Sequence, residues 1–255
     1  MKRSWIAAIL IICLLLTGLG VVIYWRNTPK TVITCGDISL DNTDFAYYYW
    51  SEYFYFANVY GDYLKDDVDF QAPLRDQPYD DEMSWEDYLL EDTFATVQDT
   101  LVMVLAAEEA GFTLPADYDS AYQESVVNFR SAATKAGCKD LNEYLRDSYG
   151  SKANEESFLR YLHQTHLASA YADYLLEQIV IPDADVVAYF TDHQADYETV
   201  YGFDADTPEQ WMESIRQELQ LEQYQNEFRG IQHRFPMQLN RAAISLRPPK
   251  GLYTK

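Results

Sequence analysis

The sequence predicts a mainly α-helical domain of about seven helices, carried behind an N-terminal transmembrane helix and closed by a small pairing of its first and last strands. Three observations point there. Long segments repeat apolar residues at helical spacing between capping residues and stop glycines. Two short β-prone segments, 31–36 and 237–246, lie at opposite ends, with no alternation of strand and helix between them. Residues 5–24 form an uncharged apolar run, long enough at ~1.5 Å per residue to span a ~30 Å hydrocarbon core.

Lys2 and Arg3 precede that run and favour an amino terminus inside, although Arg26 and Lys30 beyond it weaken the asymmetry. No A-x-A-like cleavage site follows, so residues 1–30 read as an uncleaved signal anchor. Cys13 lies inside the span and Cys35 too far beyond it for a lipoprotein signal. The expected arrangement is a single-pass cell-membrane protein with its C-terminal domain on the extracytoplasmic side.

Residues 31–36 combine β-branched side chains with a closing Gly and read as a strand. Asp41, Asn42 and Thr43 offer N-caps for an aromatic helix running to about Tyr60. Residues 61–83 are Asp-rich, contain Pro73 and Pro78, and read as a loop. Ser84-Trp-Glu-Asp87 has the form of a capping box, with Asp for Glu, before a long helix ending at Gly111. Further helices are expected over 116–136, stopped by Gly137, over 140–149, stopped by Gly150, and over 154–179. Pro182 opens a short one through about His193, and Thr207-Pro208 the last long one, to about Arg229. Residues 31–246 make one domain, with 31–200 as its body, 207–246 as a closing helix and strand, and 247–255 as a Pro-Pro-containing tail.

Four of the 19 Lys and Arg lie in the first 30 residues, leaving 15 against 41 Asp and Glu, a net charge of −26 beyond the anchor. Such a field repels nucleic acid, anionic lipid and acidic polymers, and draws cations and basic polypeptides. Solubility alone also accounts for acidic helix faces. Cys35 and Cys138 are either one disulfide or two separate thiols.

The compositional extreme is residues 45–63, in which eleven of nineteen side chains are aromatic. At ~100° per residue, Phe45, Tyr49, Tyr53, Phe56, Tyr60 and Tyr63 share one stripe, while Tyr47, Trp50 and Phe54 fall opposite. A helix apolar on two sides is either sandwiched in a core or leaves one face open. An open aromatic face suits peptide binding, because Tyr and Trp give large contact area at little rotamer cost. The expected peptide-binding residues are Tyr47, Trp50, Phe54 and Trp85.

Chemistry-bearing motifs are sparse. His163-x-x-His166 has helical i, i+3 spacing but no adjacent Cys or carboxylate completes a metal motif. The clusters Asp66-Asp67-x-Asp69 and Asp80-Asp81-Glu82 lack the Gly and terminal Glu of a calcium loop. There is no G-x-S-x-G, P-loop, G-x-G-x-x-G or H-E-x-x-H. No catalytic residue, metal site or cofactor is expected.

The order of motifs does carry a resemblance. A strand with a Gly (Val32 to Ser39) leads into Asp44-Phe-Ala-Tyr-Tyr-Tyr49, then an Asp-rich loop with Tyr79-Asp80 and the Ser84-Trp-Glu-Asp-Tyr88 helix start. Glu108-Glu-Ala-Gly111, Leu141-Asn-Glu-Tyr-Leu145, Tyr149-Gly150, Phe158-Leu-Arg-Tyr-Leu162 and Tyr171-Ala-Asp-Tyr174 follow. Over about residues 31–200 this series resembles the helical chaperone region of SurA-type and PrsA-type foldases. Those foldases carry a parvulin-type prolyl isomerase domain late in the chain. Here Tyr197-Glu-Thr-Val200 passes within about ten residues into the Thr207-Pro-Glu-Gln-Trp211 helix, too little for any domain. The resemblance implies a non-enzymatic chaperone-like module that binds unfolded or exported polypeptides. The other readings are a dedicated partner-binding ectodomain of a membrane complex and a peptidylprolyl isomerase with an unrecognised site.

Overall fold

A computed structural model describes residues 30–201 and 209–253, with side chains undescribed at 195–201 and 209–210. The expected transmembrane run lies outside these residues. Among the described residues no helix is long and apolar enough to cross a membrane.

The element order is β1 (Thr31–Cys35), β2 (Ile38–Asp41), α1 (Asn42–Tyr60), α2 (Trp85–Glu109), α3 (Ala116–Lys135), α4 (Leu141–Tyr149), α5 (Glu155–Gln178), α6 (Asp183–Tyr201), α7 (Glu209–Arg234) and β3 (Met237–Leu239). The domain is thus mainly helical, with a small three-stranded sheet ordered β2-β1-β3. Both pairings are antiparallel, and β1 meets β3 in the register Ile33↔Leu239, Thr34↔Gln238, Cys35↔Met237. The first and last strands therefore close the domain as expected.

β2 was not expected. Ile38-Ser-Leu-Asp41 has only two apolar residues, too few to show period-2 alternation. It is formed by the two-residue turn Gly36-Asp37, with Gly36 at φ 56°. A Cβ there would sit 2.9 Å from Leu105 Cδ1, a side-chain tip that can shift, so it is the left-handed backbone that calls for glycine.

The capping signals act as read. The Asp41 carboxylate accepts from the Thr43 and Asp44 amides and Asp44 answers back, a capping box at the head of α1. The same box forms at α2 between Ser84 and Asp87. There the Ser84 hydroxyl and amide hold the Asp87 carboxyl below the usual carboxylate range. Several bounds differ from expectation. The segment 237–246 is a strand only to Leu239 and then turns through Arg241–Ala243. Arg241 leaves the sheet to pair with Glu91 and to lie over the Phe94 ring at 5.1 Å. α6 continues past His193 to Tyr201, and α7 past Arg229 to Arg234.

α1 is central: it packs against α2, α4, α5 and both strands of the hairpin. α2 and α5 form the most extensive helix pair, α3 covers α5 and α4, and α6 lies chiefly on α7. The closure is stapled by side chains. Asn42 Nδ2 donates to the Ala243 carbonyl at 2.9 Å, and its Oδ1 accepts from the Ser245 amide at 2.6 Å.

Residues 247–253, within the segment read as a tail, fold back onto the domain. Pro249 is buried, and the Lys250 amide and ammonium both bind Asp147, at 2.7 and 2.8 Å.

Candidate functional site

The aromatic helix divides along its length rather than around its circumference. Residues 45–50 and Tyr53 are all buried, so the helix is enclosed on every side from Phe45 to Trp50. Beyond Tyr53 the helix emerges: Tyr55, Val59 and Tyr60 are 54, 45 and 40 % exposed, and Tyr63 just past its end is 84 % exposed.

This corrects the expected binding set. Tyr47 is fully buried, and its ring meets Tyr149, Phe158 and Tyr161 at centroid distances of 5.0, 5.5 and 5.6 Å. Its hydroxyl lies 2.9 Å from Ser157 Oγ and accepts from the Asn154 amide at 3.1 Å, tying α1 to the head of α5. Trp50 is 3 % exposed and Trp85 7 %. None of the three offers surface to a peptide. Phe54 is half-buried, edge-on to Tyr53. Tyr60 and Tyr63, which share a stripe with the buried Phe45, Tyr49 and Tyr53, are exposed. A helical wheel cannot see this, because it projects away the axis along which the neighbouring helices end.

The emerging rings are not scattered. Tyr55 lies edge-on to Tyr60 at 6.2 Å, Tyr60 meets Phe56 at 4.9 Å, and Phe56 meets Tyr88 at 5.8 Å. Tyr88 stacks on Tyr79 at 4.4 Å, and both rest against the buried Trp85. The result is a continuous ladder of rings across the end of α1, the start of α2 and the loop between them. Trp85 is its buried footing.

The loop is held firmly enough to present Tyr79. Val68, Phe70 and Leu74 are buried beneath it, and the Tyr53 hydroxyl donates to the Phe70 carbonyl. The Gln77 amide bonds Asp69 through both of its ends, at 2.7 and 2.9 Å. The Asp80 carboxylate accepts from the Glu82 and Met83 amides, closing the turn beside Tyr79.

Acids surround the ladder. Residues 61–84 hold eight Asp and Glu against Lys65 and Arg75. Glu52 and Asp92 lie side by side near Tyr88. Burial first, and the Asp92 charge second, hold the Glu52 carboxyl above the usual carboxylate range. A proton is thus held more tightly in the folded state than in the unfolded chain. The stability this contributes is present below the unfolded pKa of ~4.3 and is lost as pH rises through the folded value. At pH 7 the two carboxylates repel each other beside apolar rings. Glu52→Gln should therefore raise the thermal midpoint at pH 7, and the gain should close as pH falls toward 4, which differential scanning calorimetry across that range measures.

The remaining groups singled out in the sequence have structural places. His163 and His166 both pack edge-on to Tyr122, at 6.1 and 6.0 Å. Burial lowers the pKa of His166. No cluster of three or more metal-ligating side chains exists among the described residues. Cys35 and Cys138 are separate free thiols; Cys35 is buried in β1, and burial raises its pKa.

A second feature was invisible in the sequence. A cleft of about 470 Å³ opens between the head of α1, the Gly150–Ala153 turn and residues 242–247. Lys30, Lys152 and Arg247 stand on its rim, and none of them is ion-paired among the described residues. These cations are 122 and 95 residues apart in sequence, so only the fold gathers them.

No family model matches this chain, and no curated protein or solved structure matches it either.

Proposed function

We propose that the chain is a membrane-anchored, extracytoplasmic protein that binds unfolded or exported polypeptides without catalysis. The observation that carries this reading is the ladder Tyr55–Tyr60–Phe56–Tyr88–Tyr79, partly exposed and set among carboxylates. Rings of this kind contribute ~25 cal/mol per Å² of apolar area covered, before the entropic cost of binding. Their hydroxyl tips tolerate water when nothing is bound. The acidic rim favours segments rich in Lys and Arg, whose charges also pair with ring faces.

The test is suppression of aggregation of a chemically unfolded client by the full-length protein. Tyr60→Ser/Tyr79→Ser should change folding stability little, since both rings are exposed, yet reduce suppression severalfold. Undiminished suppression by that variant would remove the ladder from the function. No acceleration is expected in a proline-isomerisation assay on a tetrapeptide.

The cationic cleft favours one further reading, a dedicated partner that presents an acidic segment beside the anchor. A stoichiometric complex that Lys152→Glu/Arg247→Glu abolishes, with client suppression intact, would establish that reading.

A further inference from the structure

The enclosed part of α1 is not covered by helices alone. Tyr49 and Trp50 form the floor of a groove whose far wall is Pro73 and Leu74, at the 3-10 turn Leu74–Asp76. The roof is the C-terminal segment Leu246-Arg-Pro-Pro-Lys-Gly-Leu-Tyr253. Pro248 lines the groove, Pro249 is buried, Leu252 packs on the core, and the Tyr253 phenol lies beside those of Tyr49 and Tyr53. Lys250 is held by Asp147, on α4.

The fit of this roof is incomplete in one place. Trp50 is buried, yet its indole Nε1 has no acceptor among the described residues, and no other buried side-chain polar atom there shares that state. Trp50 also borders a gap of about 20 Å³, lined besides by Tyr49, Leu246, Pro248, Tyr253 and the Arg75–Glu86 ion pair. An aromatic floor with a free indole N–H matches the chemistry of a proline-rich ligand. Pyrrolidine rings lie flat on aromatic faces, the extended backbone is pre-ordered, and its carbonyls project outward to accept such a donor.

We propose that this groove is a docking site for an extended polypeptide segment with paired prolines and a following cation, and that residues 246–253 occupy it in cis. The chain's own segment displays the ligand chemistry: Pro248 lines the groove with Tyr49 and Trp50, Pro249 is buried behind it, and Lys250 binds a carboxylate. It satisfies the charge and leaves the indole donor unmet; the same sequence supplied in trans, free of the covalent link that fixes its position, competes for the groove and is free to seat a carbonyl on that donor. The site is separate from the ladder and extends the polypeptide-binding reading to a defined ligand class.

The experiment uses full-length protein and a fluorescein-labelled synthetic peptide of the 246–253 sequence, read by anisotropy. The parent chain should bind weakly, Lys250→Glu about threefold more tightly, and Lys250→Glu/Tyr253→Ala at least tenfold more tightly. Lys250 is exposed, so its replacement keeps the fold testable if the double variant is unstable. A peptide with both prolines changed to alanine should lose the gain, and Tyr60→Ser/Tyr79→Ser should bind the peptide as the parent does. Equal binding by parent and Lys250→Glu, including no binding by either, overturns the proposal; that result is expected if a single water fills the gap and completes the indole's bonding. Equal binding of the alanine peptide also overturns it. Loss of peptide binding in the ladder variant would show one site rather than two and overturn it as well. Client suppression that persists through any of these failures leaves the ladder reading standing.

Discussion

Tyr47→Ala is expected to destabilise the domain by about 3–5 kcal/mol, the range for removing a large ring from a closed core. The ring has aromatic neighbours on three sides and no exposed surface. Tyr47→Phe should cost about 1–2 kcal/mol, because it strands the Asn154 amide, while the Ser157 hydroxyl keeps its bond to the Asn154 carbonyl. Urea unfolding followed by circular dichroism gives both numbers. The comparison separates two roles for the same residue. A core residue yields this graded loss of stability. A peptide-contacting one would yield a change of less than about 1 kcal/mol together with lost client binding, and that result would return Tyr47 to the surface.

The second large effect is alkaline unfolding. Burial holds the phenols of Tyr47, Tyr48, Tyr49, Tyr53, Tyr149 and Tyr161 above their ordinary value of about 10. In the unfolded chain they ionise near 10; in the folded domain they stay neutral. The stability each contributes is fully present below pH ~10 and is lost as pH rises past it toward the folded values. Each phenol then removes up to about 1.4 kcal/mol per pH unit. Acting together, these groups reach the ~5–15 kcal/mol of an ordinary domain within about one to two units. Tyrosinate absorbance should therefore rise in two stages. Rings in contact with water ionise first, then the buried set ionises cooperatively with loss of the circular dichroism signal. A single smooth titration of all the tyrosines with the fold intact would contradict the burial described here.

Much of the architecture was legible because it rests on local signals. The capping boxes at Asp41 and Ser84, and the glycines after α2, α3 and α4, each act within a few residues, so sequence proximity reveals them. The pairing of the end strands was legible for a different reason: two β-prone segments had no other partner. The functional surface was not legible, although its composition was conspicuous. Whether Tyr47 or Tyr60 faces water depends on where α4 and α5 stop along α1, and that is a property of packing rather than of the helix. The cleft cations and the groove roof were hidden for the same reason, since Lys30, Lys152 and Arg247 meet only after the chain has closed.

That closure has a temporal side. The Cys35 thiol donates to the Phe235 carbonyl, a partner 200 residues later in the chain. Synthesis proceeds at roughly 5–20 residues per second, so β1 waits on the order of 10–40 s for β3, and Trp50 waits about as long for the segment that roofs it. During that interval the most aromatic stretch of the chain is already made and lacks its last cover. A protein proposed to guard unfinished chains thus spends much of its own synthesis as one, and residues 235–253 decide when that state ends.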